Sequence, residues 1–432
     1  MKLDLSEDQN MMRETFARFL DEQSSTARVR AAMPSGFDRQ MWTGLAGLGA
    51  LSIRVPEASE GLGLGVLDAV VLMEEAGRTL ASGPIAEALV AARLLALLDG
   101  SPDLLARVTA GQAVVTIAFH DVASAPVQWV AGGSVAEAVI ARDGDDIILI
   151  SVPESARLGE PTLASTPIAE LHLGAAARKV LSSTAEGRKI FAQALEEWKL
   201  LTAAALCGLS REAVRLAAAY ACERVAFGQP IGTYQAISHP LADLITDIDG
   251  GKYFIWKAIR DIADAVSDAS AQIPLTLWWS ADTAGRAVAQ ALQTFGGYGL
   301  TVDYDIHLYN LRAKAWPLVF GDPARLLEEA GRRLYAGESV ALPDVGAVTI
   351  DFNLGDDAQA LADDVDAFFK KNITPELRAK AHYSFDGHDA GIHKKLAEAR
   401  LLFPSWPKEL GGREALPYAV SGARTVWEQH EW

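Results

Sequence analysis

The chain has 432 residues, of which 50% are hydrophobic and 22% charged, and a formal net charge of −17. That balance supplies enough apolar surface to exclude a disordered chain, and so acidic a protein will not hold nucleic acid or an anionic membrane by bulk charge. The length exceeds one ordinary core and predicts roughly two to four domains. Cys207 and Cys222 are the only cysteines, which excludes a disulfide scaffold. In a continuous helix their 15-residue separation is about 22 Å, too far for a bridge.

The opening MKLDLSEDQNMMRETFARFL is an amphipathic helix with mixed acids and bases. It has no apolar signal region and no small-residue cleavage site. No charge-free run of ~18 apolar residues follows, so no membrane span is read and the cytoplasm is the default compartment. Met12, Phe16, Phe19 and Leu20 mark one helical face, and Met41, Leu45 and Leu48 a second. Leu67, Val70 and Val71 mark a third, and the run from Ile85 to Leu98 follows. Residues 1–112 therefore read as an N-terminal helical domain.

Short β-branched runs then appear in VVTIAFHD, VAEAVIARDGDDIILISV and IAELHL. The Asp-Gly pair in ARDGDDIIL predicts a hairpin. Residues 113–183 read as a small β domain. Helices return over 184–335, with Leu241, Leu244, Ile245 and Ile248 on one face and Leu277, Ala281, Ala284, Val288 and Leu292 on another. Pro240 and Pro274 sit where helix starts are expected. Residues 336–350 hold glycine and proline without helical period and read as a linker.

The segment 351–432 repeats the beginning of the chain. Leu45 matches Leu396 and Pro56 matches Pro407, both 351 positions apart. Asp4 resembles Asp351, Phe19-Leu20 resembles Phe368-Phe369, and VPEASEGLG resembles WPKELGG. The repeat stops at Trp432, inside what reads as a third helix. Helices with one apolar face need a partner layer, so the chain is expected to belong to a longer polypeptide or to lack its other half.

Three segments carry a family resemblance. RVAFGQPIGTYQ spans Arg224 to Gln235 and includes Phe227 and Gly228; QTFGGYG holds Gln293, Gly296 and Gly297; the loop VPEASEG, with its later copy, is the third. A guanidinium offers a planar fork to phosphate, and glycines let backbone amides approach a diphosphate. Gly228 is expected to permit the turn that ends a helix. In this order the segments resemble the acyl-CoA dehydrogenase family. The resemblance implies a mostly α fold: an N-terminal helical domain, a β-barrel-like middle domain and a C-terminal four-helix bundle, followed here by a partial second N-terminal domain. It implies FAD as cofactor, with Arg224, Phe227, Gly228, Gln235, Gln293, Gly296 and Gly297 serving it. It also implies an acyl-CoA thioester as substrate and an electron-transfer flavoprotein as acceptor. Assembly through the bundle follows, as a homo-oligomer or as a heteromer with a related half. His239 reads as a packing residue. Gly61-Leu-Gly63-Leu-Gly65 is not a dinucleotide loop, because Val66 replaces its last glycine and no βαβ unit surrounds it.

The sequence also departs from the family. AFHDVASAPVQWVAGG shows neither the Thr-Glu-Pro…Ala-Gly-Ser-Asp run nor the Trp-Ile-Thr strand that back the flavin ring there. Many members place the proton-abstracting Glu where Gly321 stands, one residue before Asp322. Others draw it from an earlier helix, at the position of Trp198, next to Glu196 and Glu197. Asp322, Glu197 and Glu196 are thus the candidate bases, against the plainer reading of solvated surface carboxylates. No metal site is read; His388 and His393, five apart, suit no known spacing. Trp278 and Trp279 read as packing residues. Together these departures resemble the eroded half of a fused or two-component member, such as those acting on steroid side chains. A non-catalytic structural half, and an oxidase or monooxygenase on the same fold, are the competing readings.

Overall fold

Regular structure begins where the sequence offers a cap. In the computed structural model, which describes all residues except 99, 160–161, 383–388 and 431–432, Ser6 Oγ accepts from the Gln9 amide at 3.2 Å and Gln9 Oε1 accepts from the Ser6 amide at 3.1 Å. This reciprocal box opens α1 (Glu7–Gln23) by satisfying amides that have no intrahelical partner. The layer continues through α2 (Thr26–Ala32), α3 (Arg39–Gly47), α4 (Val66–Arg78), α5 (Ile85–Leu97) and α6 (Pro102–Thr109). Phe16, Leu20, Met41, Leu45, Leu67 and Val70 are buried as the period requires. Leu48 falls past the end of α3 and is 40% exposed.

The chain then forms β1 (Val115–Ile117), β2 (Val127–Ala131), β3 (Ala138–Asp143), β4 (Asp146–Ser151), β5 (Ile168–His172) and β6 (Arg178–Ser182). These make a sheet of order β1-β3-β4-β6 and a separate antiparallel β2-β5 pair, not a closed barrel. The hairpin expected from ARDGDDIIL joins β3 to β4. Asp143 pairs with Asp146 across it, so Gly144, at φ +61°, and Asp145 form the turn.

Next comes the 39-residue α7 (Ala185–Glu223), rich in Ala and Leu and buried through its middle. It is continuous past both cysteines, with Cys207 buried and Cys222 exposed. A short hairpin of β7 (Val225–Ala226) and β8 (Gln229–Pro230) leads to α8 (Gln235–Ala263), α9 (Ala269–Phe295), α10 (Ile306–Ala315) and α11 (Ala324–Tyr335). Pro240 and Pro274 do not start α8 and α9, contrary to expectation. Each lies inside its helix, which begins more than a turn earlier. A proline near the first turns removes few intrahelical bonds, so the helix extends back through it.

Two compact units result, Leu5–Thr349 and Met1–Asp4 with Ile350–Trp432. Residues 337–349 have no helix or strand, yet they are held within the larger unit. Leu342 O accepts from Gln193 Nε2 at 2.7 Å, Asp344 O from Arg54 Nη2 at 2.6 Å, and Val345 O from the Val66 amide at 2.9 Å.

The smaller unit contains α12 (Asp356–Asn372), α13 (Pro375–His382), α14 (Ala390–Glu398) and α15 (Pro417–Gln429) around Leu361, Val365, Phe369, Ile392 and Leu396. Its lengths follow the chain's opening: α12 and α1 have 17 residues, α14 and α3 have 9, and α15 and α4 have 13. Asp38 caps α3 through the Met41 amide, and Asp389 caps α14 through the Ile392 amide, each at 3.0 Å. A Cβ on Gly61 would lie 2.1 Å from Val55 O, and one on Gly412 would lie 1.9 Å from Trp406 O. Among the described residues no helix is long and apolar enough to cross a membrane.

Candidate functional site

α7 ends at Glu223, and Arg224 continues in extended conformation into the β7–β8 hairpin. Phe227 (φ +54°) and Gly228 (φ +86°) form the two-residue turn. Gly228 therefore turns a hairpin rather than ending the helix, which corrects the sequence reading. Two successive positive φ angles match the twist of paired strands, at a steric cost for phenylalanine. Phe227 is 96% exposed, with the Tyr234 ring edge-on at 6.4 Å, so little packing offsets that cost. Gln235 is exposed at the start of α8.

The second segment ends α9. Gly296 (φ +61°, ψ −133°) breaks the helix after Phe295, and Gln293 is exposed in its last turn. A Cβ on Gly296 or Gly297 would meet nothing within 4 Å, whereas one on Gly299 would lie 2.4 Å from Leu292 O. Internal packing thus requires Gly299 and leaves Gly296 and Gly297 facing open space.

Aromatic contacts bring the two segments together. Tyr220 of α7 stacks on Phe295 with centroids 4.4 Å apart, and the Arg224 guanidinium lies 6.0 Å from the Tyr298 ring centre. Among the described residues Arg224 has no carboxylate at ion-pair distance. An unpaired guanidinium beside two sterically open glycines fits the diphosphate end of a dinucleotide such as FAD.

The three candidate bases are not brought to one place. Glu196 is 3% exposed and lies 2.7 Å from Arg333 and 2.8 Å from Lys199. Burial raises its proton affinity, but these cations outweigh burial and hold the carboxyl below its ordinary range. Glu197 is 1% exposed and bonds Arg54 in a fork, at 2.7 Å and 3.1 Å. Both are buried ion-pair members, not the solvated carboxylates of the plainer reading. Asp322 is exposed and accepts from the Ala324 amide at 2.9 Å, in the turn that leads into α11. Trp279 donates to Asp247 O at 3.0 Å, a packing contact within the bundle. Of the histidine pair, His388 lies outside the described residues.

Sequence reasoning missed a half-open, mostly apolar cavity. It is bounded by α4, the start of α5, the end of β2, the middle of α7 and the segment after α10. Its lining is mostly apolar, including Met73, Ile85, Trp316 and Val319, with one carboxyl, Glu87. Trp198 Nε1 donates to Glu87 Oε1 at 2.9 Å. Burial pushes the Glu87 carboxyl above its ordinary range, against that bond and one from its own backbone amide. Trp198 also meets Phe119 (4.4 Å) and stacks on Phe320 (5.6 Å, 28° between planes). Phe119 comes from the β segment that departs from the family pattern, and Phe320 precedes Gly321. A lone acid in the apolar run IAEALVAARLLAL was the available signal for Glu87.

Comparison with known proteins agrees with this architecture. Residues 6–113 match the acyl-CoA dehydrogenase N-terminal domain and residues 185–335 the acyl-CoA dehydrogenase C-terminal domain. The chain belongs to the acyl-CoA dehydrogenase family, whose members are FAD-dependent oxidoreductases. It is 29% identical over 341 residues to acyl-CoA dehydrogenase IpdE2 of Mycolicibacterium smegmatis, covering 77% of this chain and 99% of that protein. It is 27% identical over 408 residues to acyl-CoA dehydrogenase FadE34 of Mycobacterium tuberculosis; 90% of this chain matches, and it spans 53% of that longer protein. Among solved structures, the Tcur3481-Tcur3483 steroid acyl-CoA dehydrogenase variant superposes with a TM-score of 0.69 at 26% identity, covering 77% of this chain and 98% of that one. The ChsE4-ChsE5 complex of Mycobacterium tuberculosis shares the fold, with a TM-score of 0.67 at 23% identity over 78% of this chain and all of that one.

Proposed function

We propose that this acyl-CoA dehydrogenase desaturates a bulky, steroid-type acyl-CoA thioester. In this reading Arg224, Phe227, Gly228, Gln235, Gln293, Gly296 and Gly297 serve the nucleotide end of FAD. The carrying observation is the unpaired Arg224 beside Gly296 and Gly297 on one exposed surface. FAD, when bound, supplies the hydride acceptor. Arg224 neutralises diphosphate charge, and the open glycines allow backbone amides to approach it. The apolar lining of the cavity suits an acyl chain, and the likeness to a steroid enzyme supports a bulky acyl group.

The domain division follows the same reading: 1–112, 113–183 and 184–335 as one three-domain unit, 336–350 as connection, and 351–432 as the opening of a second N-terminal domain. Matching helix lengths, matching caps and the match to FadE34 across 90% of the chain support it. A heteromer with a related half is proposed as the assembly, as in the ChsE4-ChsE5 complex, and an electron-transfer flavoprotein as the acceptor.

The test is a flavin count on the purified protein, with anaerobic bleaching of the flavin by a panel of acyl-CoA esters. Bound FAD reduced by an alicyclic acyl-CoA supports the reading; no flavin on the full chain, alone or with a co-expressed related half, defeats it. Rapid reoxidation by oxygen would favour an oxidase instead. Arg224→Ala should weaken FAD retention about 10-fold or more, the scale of one charge-assisted contact. A second reading, in which the flavin ring sits in a related half, draws on the Phe119–Trp198–Phe320 cluster. It predicts less than one FAD per chain in the assembled protein.

A further inference from the structure

The cavity of the larger unit holds one carboxyl among its described lining residues, and that carboxyl has no cation at ion-pair distance. Other acids near it are committed. On α7, Glu196 is tied to Arg333 and Lys199, and Glu197 to Arg54. On α4, Glu74 pairs with Lys252 at 3.0 Å. On its own helix, Arg93 pairs with Asp344 at 3.3 Å. The remaining walls facing it, Ala131, Gly132, Trp316 and Val319, carry no charge. A carboxyl kept in an apolar cavity without a counter-ion is costly to the fold, so it is a candidate for work on a ligand.

We propose that Glu87 is the general base of this chain, taking the α-proton of the acyl-CoA thioester. The proposal rests on the acyl-CoA dehydrogenase reading above. In the step, the Cα–H bond breaks and its proton passes to a Glu87 carboxylate oxygen. The electron pair left behind would form the Cα=Cβ bond with loss of the β-hydrogen as hydride, for which a bound oxidised flavin would be the acceptor. The two electrons lost by the substrate would pass to that flavin, and Glu87 ends as the neutral acid. Trp198 is a positioning residue: its indole N–H fixes the carboxylate and stabilises the ionised form that must accept the proton. Burial raises the proton affinity of that acceptor.

The test separates proton abstraction from flavin reduction. The full chain, supplied with FAD, is incubated in heavy water with tert-butylacetyl-CoA, which has α-hydrogens but none on its β-carbon. Deuterium entry at the α-carbon is followed by mass spectrometry across pH, and ester binding is measured in parallel. Wild type should exchange, and Glu87→Gln, which keeps shape and can still accept from Trp198, should exchange about 100-fold or more slowly with ester binding intact. Trp198→Phe removes a donor to the carboxylate, so the pH midpoint of exchange should rise. Equal exchange by wild type and Glu87→Gln, an unmoved midpoint in Trp198→Phe, or ester binding without exchange overturns the assignment alone. No binding of any acyl-CoA by the wild-type protein overturns the function reading and the assignment together.

Discussion

Phe227 and Glu87 show what single residues hold at the expense of stability. Phe227 sits at φ +54° with its ring 96% exposed. Phe227→Asn should raise the unfolding free energy measured in urea by about 1 kcal/mol, because asparagine tolerates the left-handed region better. If Phe227 packs on the cofactor, the same change should lower FAD retention. Glu87 has its carboxyl pushed upward by burial. Between the ordinary carboxylate range and that raised value, the folded chain keeps a proton that the unfolded chain has released. Stability therefore falls as pH rises through that window and levels off above it. Glu87→Gln removes this dependence, so its Tm should exceed that of wild type at pH 8 and approach it at pH 4. Neither residue could be valued from the sequence. RVAFGQ pointed to Phe227 through the family pattern but not to its hairpin. Glu87 is one letter in an apolar run, and its partner Trp198 is 111 positions away.

At the scale of elements, a buried ion pair joins three parts of the larger unit. Arg54, in the loop before α4, forks onto Glu197 of α7 and donates to Asp344 O in the segment after α11. Glu197→Ala would leave a buried guanidinium without its counter-charge and should cost about 3–5 kcal/mol in denaturant unfolding. Replacing both partners with apolar residues of similar volume should cost much less, because the desolvation penalty disappears with the charge. Helices were legible because their period and caps are local: Ser6 with Gln9, and Asp38 before Met41. The starts of α8 and α9 were not, since Pro240 and Pro274 mark where a helix can begin without fixing where it does. Glu196 and Glu197 looked like surface acids because Arg333 and Arg54, which neutralise them, are 137 and 143 positions away.

For the whole molecule, each compact unit has its own apolar core and should unfold as its own cooperative transition. Gly61→Ala and Gly412→Ala test this. Each would drive a Cβ into a carbonyl oxygen, at 2.1 Å and 1.9 Å respectively. In scanning calorimetry of the full chain, Gly412→Ala should lower one transition and Gly61→Ala the other; a common shift in both would mean that the units unfold together. The offset of 351 positions, visible in Leu45 and Leu396, is what makes such paired substitutions possible.

The recurring glycine has a consequence for how the protein can change over time. At Gly61 and at Gly412 a carbonyl oxygen excludes any side chain, whatever each unit does. Exposed positions around each turn can vary, while neither glycine can be exchanged without moving its own loop. At these two points the backbone, and not the side chain, sets what the sequence can hold.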